Sequence, residues 1–315
     1  MIFKMKRFLL PLLLLFTALS TASAQDRLRV VTTTSDLRSL VKAVGAERVI
    51  VSNLVPAGER VEEYQPRLQD VGILKDAKLV IRAGPGIDPW FDKVLARAAA
   101  KNGRTGIERG ESGHLDASAT AAANDPLLVS AGFARTRRDI RRDAGPNPHY
   151  WLDPKSAEPI TQAMVDAFSR LDPAGKSYYE TNRRAFLARL NGKMEEWQGR
   201  LRPLQDLPMV ALHADWDYFA NRFRLDIVDV LARRDRSPPR RAKMKEIEEM
   251  IRDGKVKMII TEANEPERHA NRLAKSTGVK VVELTGTVGG LPNTDDYIAM
   301  FDANVNALVA AFEKK

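Results

Sequence analysis

Four histidines are the only imidazole groups in this chain of 315 residues: His114, His149, His213 and His269. The chain has no cysteine, which excludes thiolate metal sites, iron–sulfur clusters, disulfides and cysteine nucleophiles. Any imidazole chemistry must therefore draw on these four residues.

Two of these histidines lie in loops where a parallel sheet would place a ligand site. His213 directly follows a predicted strand at 209–212, and His149 lies in the segment Asn-Pro-His-Tyr-Trp at 147–151. Ligands bind beyond the carboxyl ends of parallel strands, so donors can meet in such loops. A third loop, after a strand ending at Val55, contains three carboxylates, those of Glu59, Glu62 and Glu63. These positions are far apart in the chain and could form one site only in the folded protein.

Apolar β-branched runs alternate with helical patterns, which predicts an α/β fold with mainly parallel sheets. The predicted strands are 28–31, 49–55, 79–81, 209–212, 227–231, 258–261 and 279–284. Helices are predicted after the cap at 34–36, after Pro89, and over 154–171, 173–201, 216–223, 242–253, 266–277 and 295–312.

The predicted helix at 173–201 separates two halves that share this βα rhythm. Its apolar face is formed by Tyr178, Phe186, Leu190, Met194 and Trp197. At ~1.5 Å per residue the helix would span about 42 Å, enough to brace two lobes. We therefore predict a signal peptide at 1–24, an N-terminal α/β lobe at 25–165, a connecting helix region at 166–207 and a C-terminal α/β lobe at 208–315, with a ligand cleft between the lobes.

The region from Glu108 to Asn147 is rich in glycine, alanine, aspartate and arginine and has little periodicity. This composition predicts a long surface loop, with one short strand near 127–129. It contains a single histidine, His114. His269 is expected on the surface of a helix.

The N-terminus has the features of an export signal. Three basic residues among the first seven precede an apolar run at 8–15, and Ala-Ser-Ala at 22–24 fits the small-residue cleavage pattern. The run is shorter than the roughly 20 residues of a membrane-spanning helix. We expect a periplasmic protein that begins at Gln25 after cleavage, with an uncleaved anchor as the alternative.

The formal net charge is +9, and arginines are concentrated in two clusters, at 135–142 and 233–241. Neither cluster contains the interleaved aromatic residues that stack on bases in single-stranded nucleic-acid sites. We interpret both as solvated loops, with an electrostatic docking patch as the alternative. For an exported protein we expect no nucleic-acid partner, and we expect a soluble monomer.

Several motifs occur in order along the chain. They are Val-Val-Thr-Thr-Thr-Ser-Asp-Leu at 30–37, Pro-Ala-Gly-Glu-Arg-Val-Glu-Glu-Tyr-Gln-Pro at 56–66, Asn-Pro-His-Tyr-Trp-Leu-Asp-Pro at 147–154, His-Ala-Asp-Trp-Asp-Tyr-Phe at 213–219, Thr-Glu at 261–262 and Leu-Thr-Gly at 284–286. Together they resemble the ligand loops and strand ends of the zinc/manganese-type substrate-binding proteins of bacterial metal ABC importers, a family that includes the adhesin-like metal lipoproteins. The resemblance covers essentially all of the mature chain, and the motif at 147–154 is the most specific.

The resemblance implies two α/β lobes joined by a rigid helix, with a divalent metal bound between them. His149 and His213 match metal ligands of the family, whereas Glu62 stands in place of a histidine and Thr285 in place of an aspartate that many members have. We therefore expect the metal set Glu62, His149 and His213, completed by water or a fourth protein donor. Zn²⁺ is the expected ion and Mn²⁺ the next, since imidazole ligands favour zinc. The expected partner is the membrane permease of a metal ABC importer.

Other assignments stay open at this stage. If Glu62 is not a ligand, the remaining carboxylate candidates are Asp215, Asp217 and Glu262. Two histidines with a carboxylate and an open water position also serve zinc hydrolases. The chain has no His-Glu-x-x-His helix and no evident general base beside the candidates, so we expect no catalytic residues and no enzyme. A family member that has lost or changed its ligand is the other alternative.

Overall fold

The computed structural model describes residues 27–84, 86–103, 105–124, 147–232, 238–263 and 268–313. Within these ranges the chain forms two four-stranded sheets in which every paired strand is parallel to its neighbour. This architecture confirms the predicted α/β class. The domain boundaries near 165 and 208 stay predictions.

The two sheets have the same strand order. The first has the order β2-β1-β3-β4 and is formed by β1 (Leu28–Thr32), β2 (Val49–Asn53), β3 (Leu79–Arg82) and β4 (His114–Asp116). The second has the order β6-β5-β7-β8 and is formed by β5 (Pro208–Ala211), β6 (Asp226–Val230), β7 (Met258–Glu262) and β8 (Lys280–Leu284). In each sheet the winding direction reverses beside the first strand, at β1 or β5. Ligand crevices lie at such switch points, beyond the carboxyl ends of the strands.

Helices connect the strands and cover the sheets. They are α1 (Ser35–Gly45), α2 (Leu68–Ile73), α3 (Phe91–Asn102), α4 (Ala117–Asn124), α5 (Ala157–Leu171), α6 (Lys176–Leu201), α7 (Asp217–Phe223), α8 (Arg241–Arg252), α9 (Arg268–Thr277) and α10 (Tyr297–Glu313). The hydroxyl of Thr34 accepts a hydrogen bond from the Leu37 amide at 3.1 Å, so the cap predicted at the start of α1 is confirmed.

The bracing helix α6 has 26 residues and, at ~1.5 Å per residue, a length of about 39 Å. It packs against α1 and α5 on the side of the first sheet and against α10 on the side of the second. Trp197 of α6 is fully buried, stacks on Phe301 of α10 at 5.3 Å and donates its indole N–H to Asp302 at 2.8 Å. The helix is therefore held to both halves by packed contacts.

The prediction that Tyr178 belongs to the apolar face of α6 is wrong. Tyr178 is 37% exposed, whereas its neighbour Tyr179 is fully buried, packs edge-on against Phe168 and donates its hydroxyl proton to Asp172 at 2.6 Å. Near the helix start, the tertiary contact with α5 selects which of two adjacent tyrosines is covered.

The interpretation of 108–147 as one long loop is also wrong in its first part. Strand β4 and helix α4 lie within it, and β4 extends the first sheet by pairing with β3. The strand at 114–116 is too short to produce a pattern in the sequence, and its partner supplies the hydrogen bonds that define it. The strand predicted near 127–129 lies outside the described residues. Helix α2, which the sequence did not predict, follows the loop after β2.

The main hydrophobic core runs through both sheets without interruption. It includes Leu79 and Ile81 of β3, Met209 of β5, and aromatic residues of α6 and α10 such as Trp197 and Phe301. A smaller cluster lies in the second half and includes Val210, Ile247 and Leu273. None of the described helices is both long and apolar enough to cross a membrane.

The adjacent tyrosines at the start of α6 provide a matched test of this packing. Replacing Tyr179 with alanine should reduce the free energy of unfolding by about 3–5 kcal/mol, because a buried ring and its hydrogen bond are lost. Replacing exposed Tyr178 with alanine should cost less than about 1 kcal/mol. Urea unfolding of both variants measures the difference, and equal losses would mean that the helix packs in another rotation.

Candidate metal centre

A cleft opens between the carboxyl ends of the two sheets, and about 580 Å³ of empty space, including open solvent, lies in it. It is lined by loops from both halves: 58–62 after β2, His149, Trp151 and Leu152 before α5, Asp215 and Trp216 after β5, Glu262 and Ala263 at the end of β7, and Thr285, Gly286, Thr287 and Gly290 after β8. The cleft is thus lined mainly by loops that follow the carboxyl ends of strands in both sheets.

Glu62 and His149 meet in this cleft. The Nε2 atom of His149 lies 2.8 Å from Oε1 of Glu62, although the two residues are 87 positions apart in the chain. The side chain of His149 is 13% exposed and that of Glu62 is 29% exposed. The structure therefore brings together two of the three side chains predicted to bind metal.

Buried contacts on both sides of Glu62 hold its loop in place. The indole N–H of Trp90 donates to the carbonyl oxygen of Val61 at 2.8 Å. Tyr64 packs on the Trp90 ring at 5.0 Å and donates its hydroxyl proton to Asp70 of α2. Because the residue before Glu62 and the second residue after it are both anchored, the carboxylate is presented to the cleft from a fixed backbone.

Asn147 orients the imidazole of His149. Its side-chain nitrogen donates to the carbonyl oxygen of Ala214 at 2.9 Å and to Asp217 at 3.1 Å, so its oxygen must face the other way. That oxygen accepts from the backbone N–H of His149 at 3.0 Å and lies 2.8 Å from Nδ1 of the ring. Since an amide oxygen only accepts, Nδ1 carries a proton, and Nε2 is the ring atom that can bind a cation.

This orientation makes a place for a cation between Nε2 of His149 and Glu62. In a neutral imidazole with its proton on Nδ1, Nε2 is an acceptor, and it would face another acceptor, Oε1 of Glu62, at 2.8 Å. A positive species between the two atoms removes this repulsion. Burial raises the pKa of the Glu62 carboxyl, but the hydrogen bond with His149 and the charges of His149 and Arg60 outweigh it and lower the pKa to about 2. Glu62 is therefore ionised and able to bind a metal.

Further carboxylates lie near this pair. Asp215 comes within 3.8 Å of Nδ1 of His149. Glu262 is buried at the end of β7 and accepts a 2.7 Å hydrogen bond from the indole N–H of Trp216. The guanidinium of Arg60 lies between Glu62, at 3.5 Å, and Asp215, at 4.0 Å.

His213, the third predicted ligand, takes a different place. It follows β5 as predicted, but it is only 6% exposed and is not among the described residues that line the cleft. Within the described ranges, no three histidine, aspartate or glutamate side chains are arranged to hold one metal ion. The set Glu62, His149 and His213 stays a prediction.

Thr285 contributes no charge to the cleft. Its hydroxyl donates to the carbonyl oxygen of Thr287 at 2.7 Å, and its backbone is paired with the side chain of Asn304 through two hydrogen bonds. The residue shapes a tight turn after β8. This part of the cleft is therefore closed by hydroxyl and backbone groups.

A second connection across the cleft involves the start of α1. The carboxylate of Asp36 accepts from the backbone N–H of Val288 at 2.9 Å and from the hydroxyl of Thr287 at 3.3 Å. Ser35 donates to the carbonyl oxygen of Val288 at 2.8 Å. Burial is the largest influence on Asp36 and, against these hydrogen bonds, raises its pKa to about 6.

Three residues that organise the cleft were not predicted: Arg60, Asn147 and Asp36. Asn147 stands two residues before His149 in the most specific motif, so this spacing could have suggested an orienting role. For Arg60 and Asp36 no sequence pattern points to the cleft, because contacts of both with the other half of the chain, to Asp215 and to Val288, place them there.

Two α/β halves that face one cleft and share a bracing helix define the class of cleft-type solute-binding proteins. The model of the family described as ZnuA, the periplasmic component A of the zinc-uptake complex, matches residues 30–311, and the chain therefore belongs to this family. This confirms the resemblance found in the sequence. The family consists of transport substrate-binding proteins.

Relatives of known kind agree with this membership. The zinc-binding lipoprotein AdcA of Streptococcus pneumoniae is 24% identical over 90% of this chain, which spans only 56% of the length of AdcA. The metal ABC transporter substrate-binding lipoprotein ScbA of Streptococcus cristatus is 23% identical over 98% of this chain and 99% of its own length. The substrate-binding protein FpvC of Pseudomonas aeruginosa, solved in complex with Mn²⁺, matches this chain with a TM-score of 0.72 at 24% identity. The match covers 91% of this chain and 99% of the FpvC chain, which shows that the two share a fold.

The buried carboxylate of Asp36 predicts a pH effect on stability. Its pKa is about 6 in the folded protein and ~3.9 in an unfolded chain, so between these values the folded state binds more protons. Stability should therefore fall as pH rises from 4 to 6. An Asp36→Asn variant should lack this fall in stability with pH. It should match the wild type at pH 4 and be more stable at pH 7 by up to about 3 kcal/mol.

Urea unfolding at several pH values measures this effect. Asp253→Asn, which removes an exposed carboxylate, serves as the control and should leave the pH profile nearly unchanged. If Asp36→Asn were less stable than the wild type at pH 7, the hydrogen bonds to Thr287 and Val288 would outweigh the cost of burying the charge.

Proposed function

We propose that this protein is a periplasmic receptor that captures a divalent transition metal in its cleft and delivers it to the permease of a metal ABC importer. Zinc is the proposed cargo and manganese the second candidate. The observation that carries the proposal is the 2.8 Å approach of Nε2 of His149 to ionised Glu62, with Asn147 fixing the proton on Nδ1. That arrangement leaves one position for a cation, which a proton or a metal can fill.

Glu62 and His149 are the first two ligands in this proposal, and His213 is the third. Metal–donor distances of ~2.0–2.2 Å with tetrahedral angles would set Nε2 and the carboxylate oxygen about 3.3 Å apart. The pair must therefore open by about half an ångström from its present separation to admit the ion. His213 must approach from the end of β5, which makes the third bond dependent on movement of the loops around the cleft.

The composition of the cleft bears on the choice of metal. Imidazole favours zinc, while carboxylate oxygens favour manganese. Asp215, 3.8 Å from the ring of His149, and Glu262, which lines the same cleft, are further carboxylates that could contribute oxygen ligands, which supports manganese as the alternative cargo. Direct titration with both ions decides between them.

Membership of a transport family supports a receptor over an enzyme, and no observation favours the hydrolase alternative. The partner follows from the same argument, since ScbA is named as the substrate-binding component of a metal ABC transporter. Export by a cleavable signal peptide, with Gln25 as the mature N-terminus, and the monomeric state complete the proposal. Residues 1–26 lie outside the described part of the chain.

Titration of metal-stripped protein with Zn²⁺ and Mn²⁺ tests the proposed site. Glu62→Gln keeps the side-chain shape but removes the charge, and it should weaken zinc binding by at least about 10–100-fold, the loss seen when even outer partners of a ligand are removed. His149→Gln should lose at least as much. Absence of binding in the wild type would overturn the proposed function.

Glu63 provides the internal control for this titration. It is adjacent to Glu62, but its side chain is 62% exposed and contacts Arg60 at the surface. Glu63→Gln should therefore change zinc affinity less than about threefold, which is under about 0.7 kcal/mol. If Glu63→Gln abolished binding while Glu62→Gln did not, the ligand assignment would move by one residue.

The orienting role of Asn147 predicts that its removal weakens zinc binding indirectly. Asn147→Ala should weaken zinc binding by about 10–100-fold although Asn147 does not touch the ion, because the ring of His149 loses the acceptor that fixes its tautomer. Asn182→Ala is the matched control, since its amide donates to the carbonyl oxygen of Val44 away from the cleft. Equal affinity of both variants would show that His149 needs no such partner.

A further inference from the structure

Arg60 places a permanent positive charge inside the cleft. Its side chain is 24% exposed and comes from the same loop as Glu62, after β2. The guanidinium faces three carboxylates: Nε lies 3.2 Å from Glu63, Nη2 lies 3.5 Å from Glu62, and Nη1 lies 4.0 Å from Asp215. Asp215 belongs to the loop after β5, so Arg60 reaches across the cleft from one half of the chain to the other.

Arg60 uses the same carboxylates that a metal would need. The oxygen of Glu62 that Arg60 approaches, Oε1, is also the atom at 2.8 Å from Nε2 of His149. Asp215 is likewise shared, with one oxygen 3.8 Å from Nδ1 of His149 and the other 4.0 Å from Arg60. The guanidinium therefore neutralises, in the metal-free cleft, the charges that would attract the cargo.

A divalent ion bound to Glu62 would lie only a few ångströms from this guanidinium. Like charges at such distances repel strongly where the surroundings are partly shielded from water. Without a metal, the same guanidinium relieves the repulsion between the carboxylates of the cleft. Arg60 therefore stabilises the empty state and penalises the loaded state.

Contacts other than those of Arg60 hold the backbone on both sides of Glu62. The hydrogen bond from Trp90 to Val61 and the contacts of Tyr64 with Trp90 and Asp70 hold the loop on both sides of the carboxylate. Removal of the guanidinium should therefore change the charge at the site and leave the backbone in place. This separates an electrostatic role of Arg60 from a structural one.

We propose that Arg60 is an affinity-setting residue, a tethered cation that competes with the metal for Glu62 and Asp215. The inference rests on the proposed function. It adds that the charge of Arg60 weakens the binding of the metal and so makes its release easier. Loading then requires the guanidinium to move away from Glu62 and Asp215.

Zinc and manganese titrations of the metal-stripped protein against a competing chelator test this role. Arg60→Gln should bind either ion about tenfold or more tightly than the wild type, because a charge within ~4–6 Å shifts such equilibria by one to three powers of ten. Arg60→Lys keeps the charge and should stay within about threefold of the wild type. Transfer of zinc to a chelator in stopped flow should be slower for Arg60→Gln.

Two controls isolate the local charge. Arg170→Gln makes the same change in net charge at an exposed site, where the guanidinium donates to the carbonyl oxygen of Ser112, and should leave affinity unchanged. In an Arg60→Gln, Glu62→Gln double variant the gain should be much smaller than in Arg60→Gln alone, because Arg60 acts through Glu62. A structural role of Arg60 would show no such coupling.

The outcomes separate the two proposals. If the wild type binds metal and Arg60→Gln binds equally well or more weakly, this inference is overturned and the proposed function stands. If neither protein binds either ion, the proposed function is overturned, and this inference with it. Thermal melting checks the fold, and should Arg60→Gln melt early, Arg60→Met removes the charge while it retains the apolar stem of the side chain.

Discussion

The amide of Asn147 is the interaction on which the organisation of the cleft depends. Its oxygen binds the backbone and ring of His149, and its nitrogen binds Ala214 and Asp217 in the segment after β5. One side chain thus sets the tautomer of a candidate ligand and ties that ligand to the loop that carries His213 and Asp215. The bracing helix makes this precision possible, because the two sheets share one continuous core and cannot drift apart freely.

Electrostatic balance is the second theme of the cleft. Among the described residues, five carboxylates line it, those of Asp36, Glu59, Glu62, Asp215 and Glu262, against one arginine and one histidine. Such an excess of negative charge in a confined space attracts a cation and makes the empty state costly. The structure moderates this cost in two ways: Arg60 and His149 pair with Glu62, and backbone and hydroxyl donors solvate Asp36. In the proposed function, the affinity for a metal is then set by the difference in free energy between the cleft without the ion and the cleft with it, and the carboxylate charges are compensated in both.

The sequence predicted the secondary structure well wherever a pattern extended over a whole element. Seven strands of the two sheets were found in this way, because buried parallel strands appear in the sequence as short, mostly apolar runs. The prediction failed for β4, which has three residues, and for the choice of Tyr179 over Tyr178. In both cases the outcome depends on a neighbouring element, β3 or α5, that lies outside the local window of sequence.

Residue types alone determined the chemistry that is available: no thiolates, four imidazoles and many carboxylates. The sequence also pointed to Glu62, His149 and His213 by their position after predicted strands and by resemblance to a family. Only the tertiary structure decided that Glu62 meets His149, that His213 is buried and does not line the cleft with them, and that Arg60 and Asp36 reach partners in the other half of the chain. Such contacts depend on how two sheets are oriented by a common helix, and a linear pattern carries no information about that orientation.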